Sequence, residues 1–104
     1  MAKAEIESGV ITTPVPLKKN STVHVIYSGM LSDHGADQVY MHSGYGASHD
    51  WYWVNEQAMD RNRWGWEAVV DIHGDHRFNF CFRDSADHWD NNSGHNWSYE
   101  IQGQ

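Results

Sequence analysis

A chain of 104 residues holds one hydrophobic core and leaves no room for a catalytic domain plus an accessory one. Fourteen acidic against seven basic side chains, a formal charge of −7, argue against nucleic acid and anionic membranes, which select a positive patch, and leave neutral ligands unpenalised. Six Trp, five Tyr and three Phe exceed what one small core takes up, so part of this aromatic load is expected at the surface.

The stretch Met1–Gly9 carries no apolar segment of the secretory type, and no run approaches the roughly twenty apolar residues of a membrane span. The expectation is a cytoplasmic protein if this is the full natural chain, or an extracellular module if it is excised from a secreted amylase. Ile6 to Thr13 is rich in β-branched residues and closed by Pro14 and Pro16, which predicts an edge strand or extended arm within residues 1–19, outside a core of about 20–102. Lys18–Ser21 predicts a turn, and Thr22–Tyr27 a strand with Val23, Val25 and Tyr27 on one face. Ser28–Asp37, carrying Gly29 and Gly35, reads as a loop, and Gln38–His42 as the next strand.

Val54–Asn62 contains Glu56, Gln57, Ala58 and Met59 but is short and uncapped for a helix, which predicts a loop or a single turn. Trp64–Ile72 predicts a strand with Trp66, Ala68, Val70 and Ile72 facing the core, followed by a hairpin-type turn at His73–His76. Phe78, Phe80 and Phe82 then alternate with Asn79, Cys81 and Arg83, the period of a strand with one buried face. Cys81 is the sole cysteine and has no partner for an internal disulfide, so it is expected as a buried or half-buried structural thiol. Asn96–Gln102 closes the domain. Six or seven strands at roughly regular spacing, without an amphipathic helix, predict a β-sandwich.

The stretch that stands apart is Asp84–Trp97. Its fourteen residues include three Asp, three Asn, two Ser, two His and one Gly, a composition for side-chain-stabilised turns, arranged around Trp89. A pyranose ring offers C–H groups on its faces and hydroxyls at its edge, so an aromatic ring among amides and carboxylates is a natural sugar platform. Phe82-Arg-Asp-Ser-Ala-Asp-His-Trp-Asp-Asn-Asn-Ser-Gly-His-Asn-Trp97 resembles the "F-x-D…W-D-N-N-x-G-x-N-Y" signature of starch-binding carbohydrate-binding modules. Family 25 is the most similar, with the family 53 modules of starch synthases next. Trp97 stands where the family usually has Tyr, and Ser85-Ala86-Asp87 replaces a more Gly-rich turn. A second, weaker part of the resemblance is Val39-Tyr-Met-His42-Ser-Gly44 with a tryptophan close behind, a position for which Trp51 and Trp53 compete.

The resemblance spans Thr22–Ile101 and implies an all-β, immunoglobulin-like antiparallel β-sandwich, a single carbohydrate-binding module. It also implies a platform in which Trp89, Trp51 or Trp53, and His42 meet successive glucose rings of an α-1,4-glucan. Asn91 or Asn92 supplies hydrogen bonds, and Asp90 is mainly structural. Two residues apart in an extended chain, Trp51 and Trp53 point to opposite faces. Trp51 is assigned to the ligand and Trp53 to the core.

Eight histidines raise the question of a metal, yet no His or Cys pairing has metal-ligand spacing, and neither a metal nor a cofactor is expected. Asp84, Asp87 and Asp90 share one hydrated loop, so nothing separates their acidities as a glycosidase requires. The expected function is non-catalytic binding of starch, glycogen or maltooligosaccharides, in a longer parent protein alongside a glycoside hydrolase domain or alone. The alternative is a protein-interaction β-sandwich whose exposed aromatics serve a protein partner.

Overall fold

Short β-branched and aromatic segments between Gly, Asn and Asp turns satisfy their backbone groups and bury one face each by pairing into sheets. A computed structural model of the chain describes residues 3–102, and in it the protein is an all-β sandwich of two sheets. One sheet runs in the order β1 (Lys3–Glu7), β2 (Val10–Val15), β4 (Thr22–Tyr27), β8 (Gly65–Asp71), β7 (Asp60–Asn62). The other runs β3 (Leu17–Lys18), β11 (Trp97–Gln102), β9 (Arg77–Asp84), β5 (Val39–Ala47), β6 (Asp50–Ala58). The two-residue β10 (Trp89–Asp90) adds to β9 beyond the end of β11. All pairings are antiparallel except β3 with β11.

The period-2 pattern of the sequence sets the faces. Val23, Val25 and Tyr27 of β4, Trp66 and Ala68 of β8, and Phe78, Phe80 and Phe82 of β9 are all buried in one core. Trp97 completes it, fully buried, stacked parallel to Phe80 at 6.2 Å and edge-on to Phe82 at 5.2 Å. Its indole N–H donates to the carbonyl of Glu7 across the sandwich, so a large ring enters the core with its one polar group satisfied.

Several expectations are corrected. The N-terminal segment is two strands, β1 and β2, reversing at Ser8-Gly9; β1 is the expected edge strand, with Ile6 exposed, whereas β2 and β3 contribute to the core, since Val10, Thr12 and Leu17 are fully buried or nearly so. Ser28–Asp37 holds a single helical turn, α1 (Met30–Asp33). The segment expected as a loop after Trp53 is most of strand β6, and it reads as irregular because it is an edge strand with few buried positions. His73–His76 joins β8 to β9 in opposite sheets, so it is a crossover between layers and not a hairpin turn.

The assignment of Trp53 to the core is also corrected: Trp53 is 66% exposed. Ser43 pairs with Asn55 and Tyr45 with Tyr52, so Trp53 and Val54 together face the single residue Gly44, which makes a β-bulge. Trp53 takes a left-handed φ of 52° there, and the alternation that would have turned it inward is broken. It rests edge-on against Tyr52 and Tyr45. Trp53→Ala is expected to change unfolding free energy in urea by less than about 1 kcal/mol, where a core tryptophan would cost about 3–5 kcal/mol.

Candidate functional site

The outer face of the six-stranded sheet carries the side chains that alternate with the core residues. On β5 these are Tyr40, His42, Gly44 and Gly46, and on β9 they are Asn79, Cys81 and Arg83. On β6, Trp51 lies opposite Gly46 and Glu56 opposite His42, while Trp89 of β10 lies opposite Arg83. The β5–β6 hairpin and the distant β10 therefore bring His42, Trp51 and Trp89 together. The His42 ring lies 6.0 Å from Trp51 at 35° and 5.4 Å from Trp89 at 88°. Trp51 and His42 form a tilted floor, and Trp89, 44% exposed, stands across it as a wall.

Each aromatic is held by a different device. The Trp51 indole N–H donates to the carbonyl of Ser48 at 2.8 Å, closing the β5–β6 turn onto the ring. The ring lies flat on the sheet because residue 44 has no side chain: a Cβ there would sit 2.9 Å from the Trp51 Cβ and 3.0 Å from its Cε3. Gly44→Ala is therefore expected to lift Trp51 off the sheet and to cost about 1–3 kcal/mol of stability by overpacking. Tryptophan emission and urea unfolding on the same sample check both effects. Below Trp51, the buried Asn79 amide donates to the Gly46 carbonyl at 3.1 Å, and its oxygen accepts from the Ser98 hydroxyl, itself bonded by Arg77.

His42 sits beside an ionic network on the same face. Arg83 grips Glu56 with two bonds of 2.8 and 2.7 Å, stacks over Tyr40 at 4.5 Å, and leaves the Glu56 carboxylate 3.5 Å from the His42 Nδ1. The Arg83 bonds hold the Glu56 carboxyl below the usual carboxylate range. Cys81 lies opposite His42 on β9, two residues from Arg83, which faces Trp89, and burial pushes its thiol up to about 12.

The wall stands on a stapled loop. Asp84 accepts from the backbone N–H groups of Ala86 and His88 at 2.9 and 2.8 Å, and its second oxygen pairs with the His88 ring at 3.0 Å. These bonds, the His88 N–H first, hold the Asp84 carboxyl below its ordinary value. A depressed carboxylate stabilises the fold fully above its unfolded value near pH 4 and loses that contribution as pH falls through the lower folded value. Urea stability measured from pH 5 downward should therefore fall with acid in the wild type and fall less steeply in Asp84→Ala.

Asp90 accepts from the buried Tyr27 hydroxyl at 2.6 Å and from the Asn92 N–H at 3.2 Å. The same Tyr27 oxygen accepts from the Leu31 N–H at 2.9 Å, tying α1 to β10. The Asn92 side chain is engaged by Glu7 and by the Asn96 carbonyl, and Asn92, Ser93 and Gly94 turn the chain in successive left-handed conformations. Asn91 caps the Gly94 N–H with its oxygen, and its amide nitrogen makes no hydrogen bond among the described residues. Of the residues named from sequence, His42, Trp51 and Trp89 share one surface. Asn91 lies in the loop directly after Trp89 and Asp90, Asn92 is taken up by that loop's own architecture, and Trp53 belongs to a separate cluster with Tyr45 and Tyr52.

Sequence reasoning missed the Glu56–Arg83 clasp, Ser48 and Asn79. A long-range clasp leaves no local signal, whereas Asn79, a polar residue inside the Phe-rich strand, had one in its period-2 position. Comparison of the chain with family models, curated proteins and solved structures gives no match.

Proposed function

We propose that this domain is a non-catalytic α-glucan-binding module that takes starch, glycogen or maltooligosaccharides on the outer face of its six-stranded sheet. The observation that carries the reading is the convergence of His42, Trp51 and Trp89, from β5, β6 and β10, into a tilted floor and a wall. An α-1,4-linked chain curves, so successive rings meet aromatics that are not coplanar, whereas a flat β-1,4 chain suits a coplanar row. Each stacked ring covers apolar C–H surface worth about 1–2 kcal/mol at roughly 25 cal/mol per Å². The Asn91 amide supplies a hydroxyl contact at the rim. The site is open, so affinities in the roughly micromolar to millimolar range are expected.

The carboxylates argue for binding and against hydrolysis. Glu56 and Asp84 are both pushed down in pKa by the groups that hold them, the opposite of the raised value a glycosidase's general acid requires. The resemblance of Trp89-Asp-Asn-Asn92 and its surroundings to family 25 starch-binding modules agrees with this reading.

A second reading, a protein-interaction sandwich, draws support from the contiguous exposed run Tyr52-Trp53-Val54 on edge strand β6. One experiment separates the two: electrophoretic retention in gels with and without soluble starch, for the wild type, Trp51→Ala and Trp53→Ala. Retention that is lost with Trp51 and kept without Trp53 supports the glucan reading. No retention of the wild type overturns it.

A further inference from the structure

Beside the aromatic floor lies an open cleft of about 650 Å³ between α1 and the Asp84–Trp89 loop, lined by the apolar Met30, Leu31 and Ala86, by the imidazoles of His34 and His88 together with loop carboxylates, and by Trp89. Its size falls within the roughly 300–1,000 Å³ of small-ligand sites. Trp89 is thus common to two surfaces, meeting His42 on the sheet and lining this cleft as well. Both walls are preformed: the Tyr27 hydroxyl bridges α1 to Asp90, and Asp84 staples the loop through Ala86 and His88. Met30 is 46% exposed, an apolar side chain left facing solvent beside two imidazoles. Apolar floor and polar rim together match a pyranose, with its C–H faces and hydroxyl edge.

We infer that this cleft receives the glucan chain as it continues past Trp89, so that the domain binds a longer α-glucan segment than the aromatic floor covers. The inference rests on the glucan reading above. It concerns a surface that reading does not use.

Titration calorimetry of the whole domain with maltotriose and with maltoheptaose tests it, in the wild type, in Ala86→Arg, which fills the cleft, and in His34→Ala, which strips its rim. Wild type should bind maltoheptaose about tenfold or more tightly than maltotriose, and both variants should bring that ratio to within about threefold, with maltotriose bound as before. Two variants at exposed positions guard against a fold defect in either, since maltotriose binding reports an intact floor. Maltotriose bound normally but a chain-length ratio unchanged in both variants would overturn the cleft and leave the floor standing. Maltotriose not bound by the wild type would overturn the glucan reading and this inference with it.

Discussion

Replacing Trp89 with alanine is expected to weaken maltooligosaccharide binding by about tenfold or more, at least about 1.4 kcal/mol, with a melting temperature within a few degrees of wild type. The two halves of this expectation have separate causes. Trp89 is 44% exposed and meets no core residue's ring, so little packing is lost. Its strand β10 pairs with β9 through the backbone and is anchored by the bond from Tyr27 to Asp90, neither of which the substitution touches. The wall of the site, however, is removed entirely, together with its contact to His42. Calorimetry and thermal unfolding on one preparation measure both. Binding retained within about threefold, under roughly 0.7 kcal/mol, would rule out the wall.

A third readout is available because Cys81 lies opposite His42, whose ring meets Trp89. The buried thiol, with its raised pKa, should react slowly with a thiol reagent in the wild type and faster in Trp89→Ala. Saturating maltoheptaose should slow it further in the wild type only.

The largest stability effect is expected at Trp97. Its ring has no solvent exposure, stacks on Phe80 and Phe82, and spends its N–H on the Glu7 carbonyl of the facing sheet. Trp97→Ala leaves a tryptophan-sized cavity between the layers and costs about 3–5 kcal/mol, a large share of the roughly 5–15 kcal/mol that holds a domain of this size. It also unhooks Glu7, which bonds the Asn92 side chain and so links the first strand to the loop after β10. Urea midpoints should fall steeply in Trp97→Ala and only modestly in Trp97→Phe, which keeps most of the ring and loses the hydrogen bond. Equal losses in the two would mean that the bond to Glu7, and not packing, carries the effect.

The two substitutions bracket how tryptophan is used in this chain, and the sequence distinguishes them only in part. Trp97 opens an alternating strand and is fully buried, whereas Trp89, surrounded by Asp, His and Asn, is 44% exposed, a contrast that follows the local composition. Trp51 and Trp53 had no such contrast. Both lie on one edge strand among polar neighbours, and strict alternation assigned one of them inward. A bulge opposite Gly44 intervened, and its position depends on how β5 and β6 are registered, which no residue of β6 announces.

The sequence by itself determined the strand-forming character of the chain, the buried faces of β4, β8 and β9, the burial of Cys81 and the turn chemistry of the Asp84–Trp97 loop. These follow from side-chain period, backbone preference and composition, which are local properties. Only the tertiary structure decided that β2 and β3 belong to the core and that Trp53 is left in solvent. It alone decided that Gly44 yields its place to Trp51, that Arg83 clasps Glu56 beside His42, and that a cleft opens behind Trp89. The physical reason is that each of these depends on how strands pair and register, within the β5–β6 hairpin as well as between strands distant in sequence, and register is a property of the pairing as a whole and not of any one segment.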